Sequence, residues 1–411
     1  MSKLEELVQQ LCPDGVEYRT IGEIAVDIFR GSGIKREQIT ETGTPCVRYG
    51  EIYTTYGVWF DTCVSHTDES ALTSKKYFEY GDILFAITGE SVEDIAKCSA
   101  YIGKERCLAG GDIVVLRHNQ DPKYLSYALS TTEAQKQKSK GKVKSKVVHS
   151  SVPAIKELVV PIPPLEVQQE IVRILDQFTE LTAELTAELT ARKKQYEYYR
   201  DKLLLNPNGG QRIKIIDMLS QPITDGPHTT PVFVESGIPF VSVDSIWDGK
   251  IHFERMRGYI TEEFDLECCK KYKPQKHDVY MVKSGSTTGK VAYVDTDMRF
   301  NIWSPLAAMR VNGNNSSRYL YHLLQTDYVQ QQVKAKSSHG SQPNLSMRAL
   351  EQFVVSIPDL KEQNRIVSIL DRFDALCNDL TSGLPAEIEA RRKQYEYYRD
   401  KLLTFKGCRF E

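Results

Sequence analysis

Apolar residues recur every three or four positions between 165 and 205: Ile171, Leu175, Phe178, Leu181, Leu185 and Leu189, then Tyr196, Tyr199 and Leu203. This spacing predicts one amphipathic helix of about 40 residues, on the order of 60 Å long. A second run carries Ile366, Leu370, Phe373, Leu376 and Leu380 until Ser382, Gly383 and Pro385 interrupt it. Pro385 suits the first turn of a restarted helix, because its missing N–H would be unpaired there anyway. Pro161, Pro163 and Pro164 mark the start of the first run and Pro358 that of the second. Helices this long are seldom stable alone, so the two are expected to pair as a coiled coil. Elsewhere the pattern shortens. CVRYGEIY (46–53), DILFAIT (82–88), DIVVLR (112–117), PFVSVDSI (239–246), DVYMVKS (278–284) and FVVSIP (353–358) read as β-rich runs between Gly, Pro and Asp. Short helices are expected at 123–137 and 318–335. The chain is therefore α+β, with two mixed lobes and two long helices.

The pattern is also written twice. ARKKQYEYYRDKLL at 191–204 returns as ARRKQYEYYRDKLL at 390–403, identical at 13 of 14 positions. Weaker echoes keep a nearly constant offset. GTPCVRYGEI (43–52) matches GIPFVSVDSI (237–246), and VVPIPPLEVQQEIVRILDQF (159–178) matches VVSIPDLKEQNRIVSILDRF (354–373). LCPDG (11–15) echoes LNPNG (205–209), so the first residues correspond to the tail of the repeated helix, as in a circularly permuted unit with internal pseudo-twofold symmetry. The helical parts are nearly identical; the lobes share only an apolar skeleton. One part of each copy is built to meet the same surface twice, the other to meet two different things.

Composition narrows the function. The 411 residues carry 53 Lys+Arg against 55 Asp+Glu, a net charge of −2, which argues against a uniformly basic coat. The charge is nevertheless segregated: 13 Lys+Arg face 20 Asp+Glu in the first 130 residues, and six lysines then fall within 136–146. No apolar run approaches the ~18–20 residues of a membrane span, and the acidic N-terminal stretch is not a secretory signal. Nine scattered cysteines, none in a CxxC, read as reduced thiols in a cytoplasmic protein, with no metal site.

No catalytic constellation emerges. GSTTGK (285–290) is one loop residue short of a phosphate loop, and Val291 stands where a metal-reaching hydroxyl is needed. PDGVEYR (13–19) resembles a nuclease carboxylate pair, but its echo lacks both acids. GSG at 31–33 is too short for a dinucleotide fingerprint. The alternating lysines, among them Lys138, Lys140, Lys142, Lys144 and Lys146, would form a phosphate rail if extended. Their counterpart, 334–346, supplies Lys336, His339 and Gln342. In the repeated motif, Arg192, Tyr196, Tyr198 and Tyr199, with Arg391, Tyr395, Tyr397 and Tyr398, fit a protein-contact face better than a base-stacking one. TAEL, at 182–185 and again at 186–189, adds four residues to a helix, a turn of ~400° and a length of ~6 Å.

Two variable lobes, two near-identical helices, the TAEL tetrads, IVxILDxF and RKxQYxYYRxKLL together resemble the specificity subunit of a Type I restriction–modification system, over essentially the whole chain. The resemblance implies a non-catalytic subunit binding double-stranded DNA. Residues 17–160 and 208–355 would be target recognition domains reading a bipartite asymmetric site. Residues 161–207 and 356–411 would form the conserved helices, an antiparallel coiled coil completed by a helix in 1–16. Two methyltransferase subunits would dock on them, with restriction subunits in the full complex. S-adenosylmethionine, ATP and Mg would belong to those partners and not to this chain. It further implies recognition loops containing Arg30, Ser32, Lys35, Arg36, Arg48, Tyr49 and Glu51 in the first lobe. In the second these would contain Asp225, His228, Thr229, Ser242, Asp244, Ser245, Lys283, Ser284, Ser286 and Thr287. The alternative is a free-standing two-lobed DNA-binding or architectural protein.

Overall fold

The computed structural model describes residues 2–142, 147–338, 342–378 and 382–407. It divides into two compact units, residues 1–184 with 389–411, and residues 185–388. Among the described residues no helix is long and apolar enough to cross a membrane.

The first unit is built on two five-stranded sheets. One runs in the order Ala25–Arg30, Ile113–His118, Ile83–Ala86, Cys98–Tyr101, Trp59–Phe60. Its central strand, Ile83–Ala86, is buried at every position, which is why its sequence is continuously apolar rather than alternating. The other runs Ile39–Thr40, Ser65–Thr67, Thr44–Val47, Cys107–Ala109, Tyr77–Phe78. Helix Pro122–Leu129 starts on Pro122 with Asp121 capping Tyr124 N, and helix Thr132–Ser139 starts on the cap of Thr131. The core continues through Val167, Ile171 and Leu175 and includes Leu4 and Leu403. Near both chain termini, Val16 N donates to Lys406 O at 2.9 Å, and Phe405 N donates to Tyr18 Oη at 3.1 Å.

The second unit repeats this plan with smaller sheets. Strands Thr224–Asp225, Leu306–Met309, Val279–Val282 and Val291–Tyr293 form one, and Gly258–Ile260, Ile238–Val241 and Asn301–Ile302 the other. Helices Ser317–Leu324 and Asp327–Lys336 cover it, joined by helix Leu360–Asn378. Tyr196 and Leu204 belong to this unit's core.

The long helix spans Leu165–Leu205 without a break, through both TAEL tetrads, as the periodicity predicts. The second run forms Leu360–Asn378 and Leu384–Leu402, with Pro385 in the first turn of the latter. Several local expectations are corrected. YGEIY is a helix, Tyr49–Thr54, rather than strand, because the Glu51 carboxylate accepts the Arg48 N–H and closes its first turn. The helices expected at 123–137 and 318–335 are each two, divided where Thr131 and Thr326 cap a new start. Helix Glu262–Lys271 was not expected at all.

Candidate nucleic-acid interface and the helix seams

In the first unit the structure brings five of the expected contact residues together. Arg30, Arg36, Arg48, Tyr49 and Glu51 line one cleft of about 810 Å³, with Asp112 and the glycines Gly31, Gly33, Gly50, Gly110 and Gly111. Arg30 leaves the end of strand Ala25–Arg30, and Gly31 lies so close to the backbone of Ala109 and Gly110 that a Cβ would clash with it. Glu51 is placed differently from the expectation. It is only 6% exposed, accepts Ser65 Oγ at 2.5 Å and holds Arg48 at 2.9 Å, so within the cleft wall its carboxylate is engaged in holding Arg48. Ser32 donates to Ser74 O, while Lys35 and Arg36 are exposed. Asp112 escaped the sequence reading because only its pairing with Arg30, 82 positions away, reveals it.

The lysine rail is corrected. Residues 132–139 are helical, not extended, and Lys138 is buried. Its Nζ donates to Leu129 O at 2.7 Å, and burial pushes its pKa down. Lys140 is exposed and Lys142 donates to His149 O; Lys144, Lys146 and His339 lie outside the described residues. Past the basic stretch the chain forms a separate two-stranded sheet. Val148 and His149 pair with Gly89 and Thr88, just past the central strand. In the second unit Ser284 bridges Asn344, and Leu345 N donates to Lys283 O at 2.7 Å. Ser286, Lys336 and Gln342 are exposed on these neighbouring stretches, with Thr287 half-buried.

At the place corresponding to the arginine cleft, the second unit is built otherwise. Asp225 is 1% exposed and ion-paired with Lys271 and, at 3.2 Å, with Lys283. Neither Asp225 nor Lys283 is therefore a surface reader; they neutralise each other inside. Ser242 and Ser245 are buried as well. His228, Thr229 and Asp244 are the exposed members of this set, Asp244 lying 3.7 Å from Arg257.

The repeated tyrosine motif divides by face. Tyr196 is buried and hydrogen-bonded to His322 Nδ1 at 3.0 Å, and Tyr395 packs on Tyr127 with ring centroids 6.3 Å apart. These two tyrosines are internal seam residues, not surface contacts. Within the first unit, Asp176 accepts Tyr127 Oη at 2.8 Å and Lys123 Nζ at 2.7 Å, Phe178 stacks on Tyr398, and Asp400 accepts the Thr132 N–H. Within the second, Asp371 accepts His322 and Arg318, Phe373 stacks on Tyr199, and Asp201 accepts the Asp327 N–H. The same carboxylate, aromatic and helix-start contacts occur in each. Tyr198 and Tyr397 stand outside the seam, 60% and 61% exposed. Each meets the next tyrosine edge-on at 5.3 Å. Arg192 donates to Gln195 and Arg391 to Gln394.

A family model described as Type I restriction modification DNA specificity domain matches residues 13–192 and 234–390. The specificity subunit of a Type I restriction enzyme from Escherichia coli is 38% identical over 247 residues, covering 59% of this chain and 60% of that relative. The aligned part is thus less than two thirds of the relative's length. Two solved chains share the fold. The Type I restriction–modification S subunit of M. genitalium has a TM-score of 0.52 and 16% identity, over 95% of this chain and 96% of that one. A chain from a structure concerning complex assembly and conformational transition of the type I R-M system has a TM-score of 0.62 and 17% identity, over 96% and 98%. The chain belongs to the Type I restriction modification DNA specificity domain family.

Proposed function

We propose that this chain is the non-catalytic DNA-recognition subunit of a Type I restriction–modification complex. Segments 17–160 and 208–355 each read one half of a bipartite asymmetric site. The helical segments pair as an antiparallel coiled coil that fixes an unread spacer, placing the half-sites about one DNA turn apart. Two methyltransferase subunits dock on the repeated motif and carry S-adenosylmethionine, and ATP-dependent cleavage belongs to restriction subunits. The methyltransferase flips its target base, and this chain brings it into position.

The observation that carries this reading is a contrast. The repeated motif leaves Tyr198 and Tyr397 equally exposed in the two units, whereas the places that would face DNA hold arginines in one and a neutralised Asp225 in the other. Matching exposed motifs suit identical partners; unlike clefts suit unlike half-sites. Methylome sequencing of a cell carrying this chain and its methyltransferase tests it. One motif with two different half-sites around a fixed spacer is expected. A methylated motif that is unsplit, or independent of this chain, overturns the reading.

A further inference from the structure

We propose that Arg30 and Arg48 of the first unit are guanine-reading forks, so that one half-site, and not the other, contains guanines selected by buttressed arginines. The inference rests on the DNA-recognition reading above and names the base that this cleft selects.

Each arginine presents the same part of its guanidinium. Arg30 Nε donates to Gly111 O at 2.6 Å and its Nη2 to Asp112 Oδ1 at 2.6 Å. Arg48 Nε and Nη2 both lie 2.9 Å from Glu51 Oε1. In both cases the Nε–Nη2 edge is occupied, which leaves the Nη1 and Nη2 hydrogens at the end of the fork. That end-on donor pair matches the two acceptors, O6 and N7, that guanine alone offers side by side in the major groove. The buttressing groups are themselves fixed. Glu51 is held by Ser65 Oγ and by the Arg48 N–H at 3.0 Å, and Asp112 directly precedes strand Ile113–His118. The forks are thus oriented before binding, and little side-chain freedom remains to be lost.

Three features favour a base over a phosphate. A carboxylate beside each guanidinium cancels much of its long-range pull on phosphate while leaving its donors directional. Exposed Lys35 and Arg36 are better placed as phosphate cations, since no ion pair joins either to a described residue. Gly33 and Gly50, where a Cβ would meet nothing within 4 Å, also leave room for a base edge beside the backbone. At the corresponding positions the second unit has no such fork, because Asp225 stands in the place of Arg30 and buried Ser242 and Ser245 in those of Arg48 and Glu51.

The test compares methylomes of cells carrying the methyltransferase with wild-type chain, R30A, R48A, R48K or E51Q. Each alanine variant is expected to make one guanine position of one half-site degenerate, with about 10- to 100-fold loss of discrimination there and none in the other half-site. R48K keeps the charge but not the fork and should lose the same guanine. E51Q should relax that position more weakly, although Arg48 is still present. Should R48A fail to fold, R48K and E51Q still decide the matter. Uniformly reduced methylation with an unchanged motif, or retention of the guanine in R48K, assigns the arginines to phosphate and overturns the proposal. Absence of any split motif with the wild-type chain would instead overturn the recognition reading beneath it.

Discussion

At the scale of single residues, the two units solve one packing problem with different chemistry. The Asp176 carboxylate is met by Tyr127 and Lys123, and the corresponding Asp371 by His322 and Arg318. His322 is fully buried and bonded at both ring nitrogens, to Asp371 at 2.7 Å and to the Tyr196 hydroxyl at 3.0 Å. Burial, with the Arg318 charge nearby, holds its pKa below the ordinary imidazole value despite the opposing pull of Asp371. A group whose folded pKa is lowered in this way is protonated first in the unfolded chain. Its contribution to stability is whole above about pH 6.5 and is lost progressively as pH falls below it. Wild-type chain should therefore lose more of its urea midpoint between pH 7.5 and 5 than H322Q does. Equal losses would show that this histidine does not set the acid sensitivity. His118, pushed down to about 4 by burial in the first unit, is common to both proteins and cancels in the comparison. A second expectation concerns the carboxylates that accept a helix-start N–H. D201A and D400A should each cost about 0.5–2 kcal/mol in denaturant unfolding, the range for losing a helix-capping oxygen.

At the scale of elements, legibility followed the length and exclusivity of the hydrophobic pattern. The helix Leu165–Leu205 was plain because its apolar stripe persists over forty positions with no competing signal. Buried strands such as Ile83–Ala86 and Ile113–His118 were plain because both of their faces are covered. What was missed depends on side-chain partners that spacing does not reveal. The turn Tyr49–Thr54 rests on one Glu51 carboxylate, and residues 132–139, with the first two of the six lysines, are helical because Thr131 starts the helix and Lys138 finds Leu129 O inside. The candidate site shows the same division: the arginines and Glu51 were nameable, but Asp112, and the role of Glu51 as a buttress, depend on contacts that spacing does not reveal. The TAEL tetrads continue the long helix, and Thr182 Oγ1 donates to Phe178 O at 2.8 Å. Deleting Thr182–Leu185 removes a rotation of ~400°, a residual of ~40°, and ~6 Å. That residual is close to the ~35° between neighbouring base pairs in a duplex of 10–10.5 bp per turn. The methylated site should lose one base pair of spacer and keep both half-sites. A shortened chain that changes a half-site and keeps the spacer would refute the ruler.

At the scale of the whole molecule, a net charge of −2 sets a limit on what the chain does alone. DNA affinity comes largely from phosphate neutralisation, and many cations here are already paired, Lys271 and Lys283 with Asp225 and Arg30 with Asp112. Tight binding then requires partners that add positive field, and the repeated motif is where they would attach. Tyr198 and Tyr397 are equally exposed, meet the next tyrosine at the same distance, and have Lys202 and Lys401 over their rings at 5.7 and 5.9 Å. Two copies of one epitope predict two independent and equal docking sites. Exposed tyrosines of this kind are typical interface anchors, and truncating one such anchor costs about 2 kcal/mol or more of binding. Folding should scarcely notice, since surface substitutions usually change stability by no more than about 0.5 kcal/mol. Light scattering of the purified complex should therefore show one methyltransferase subunit on Y198A, one on Y397A and none on the double variant, with unchanged thermal unfolding of the isolated chain. DNA binding should weaken in the same order, because each lost subunit removes part of the positive field. A single variant that loses both subunits would mean that the two sites act as one, and that the duplicated helix is not a pair of separate docking platforms.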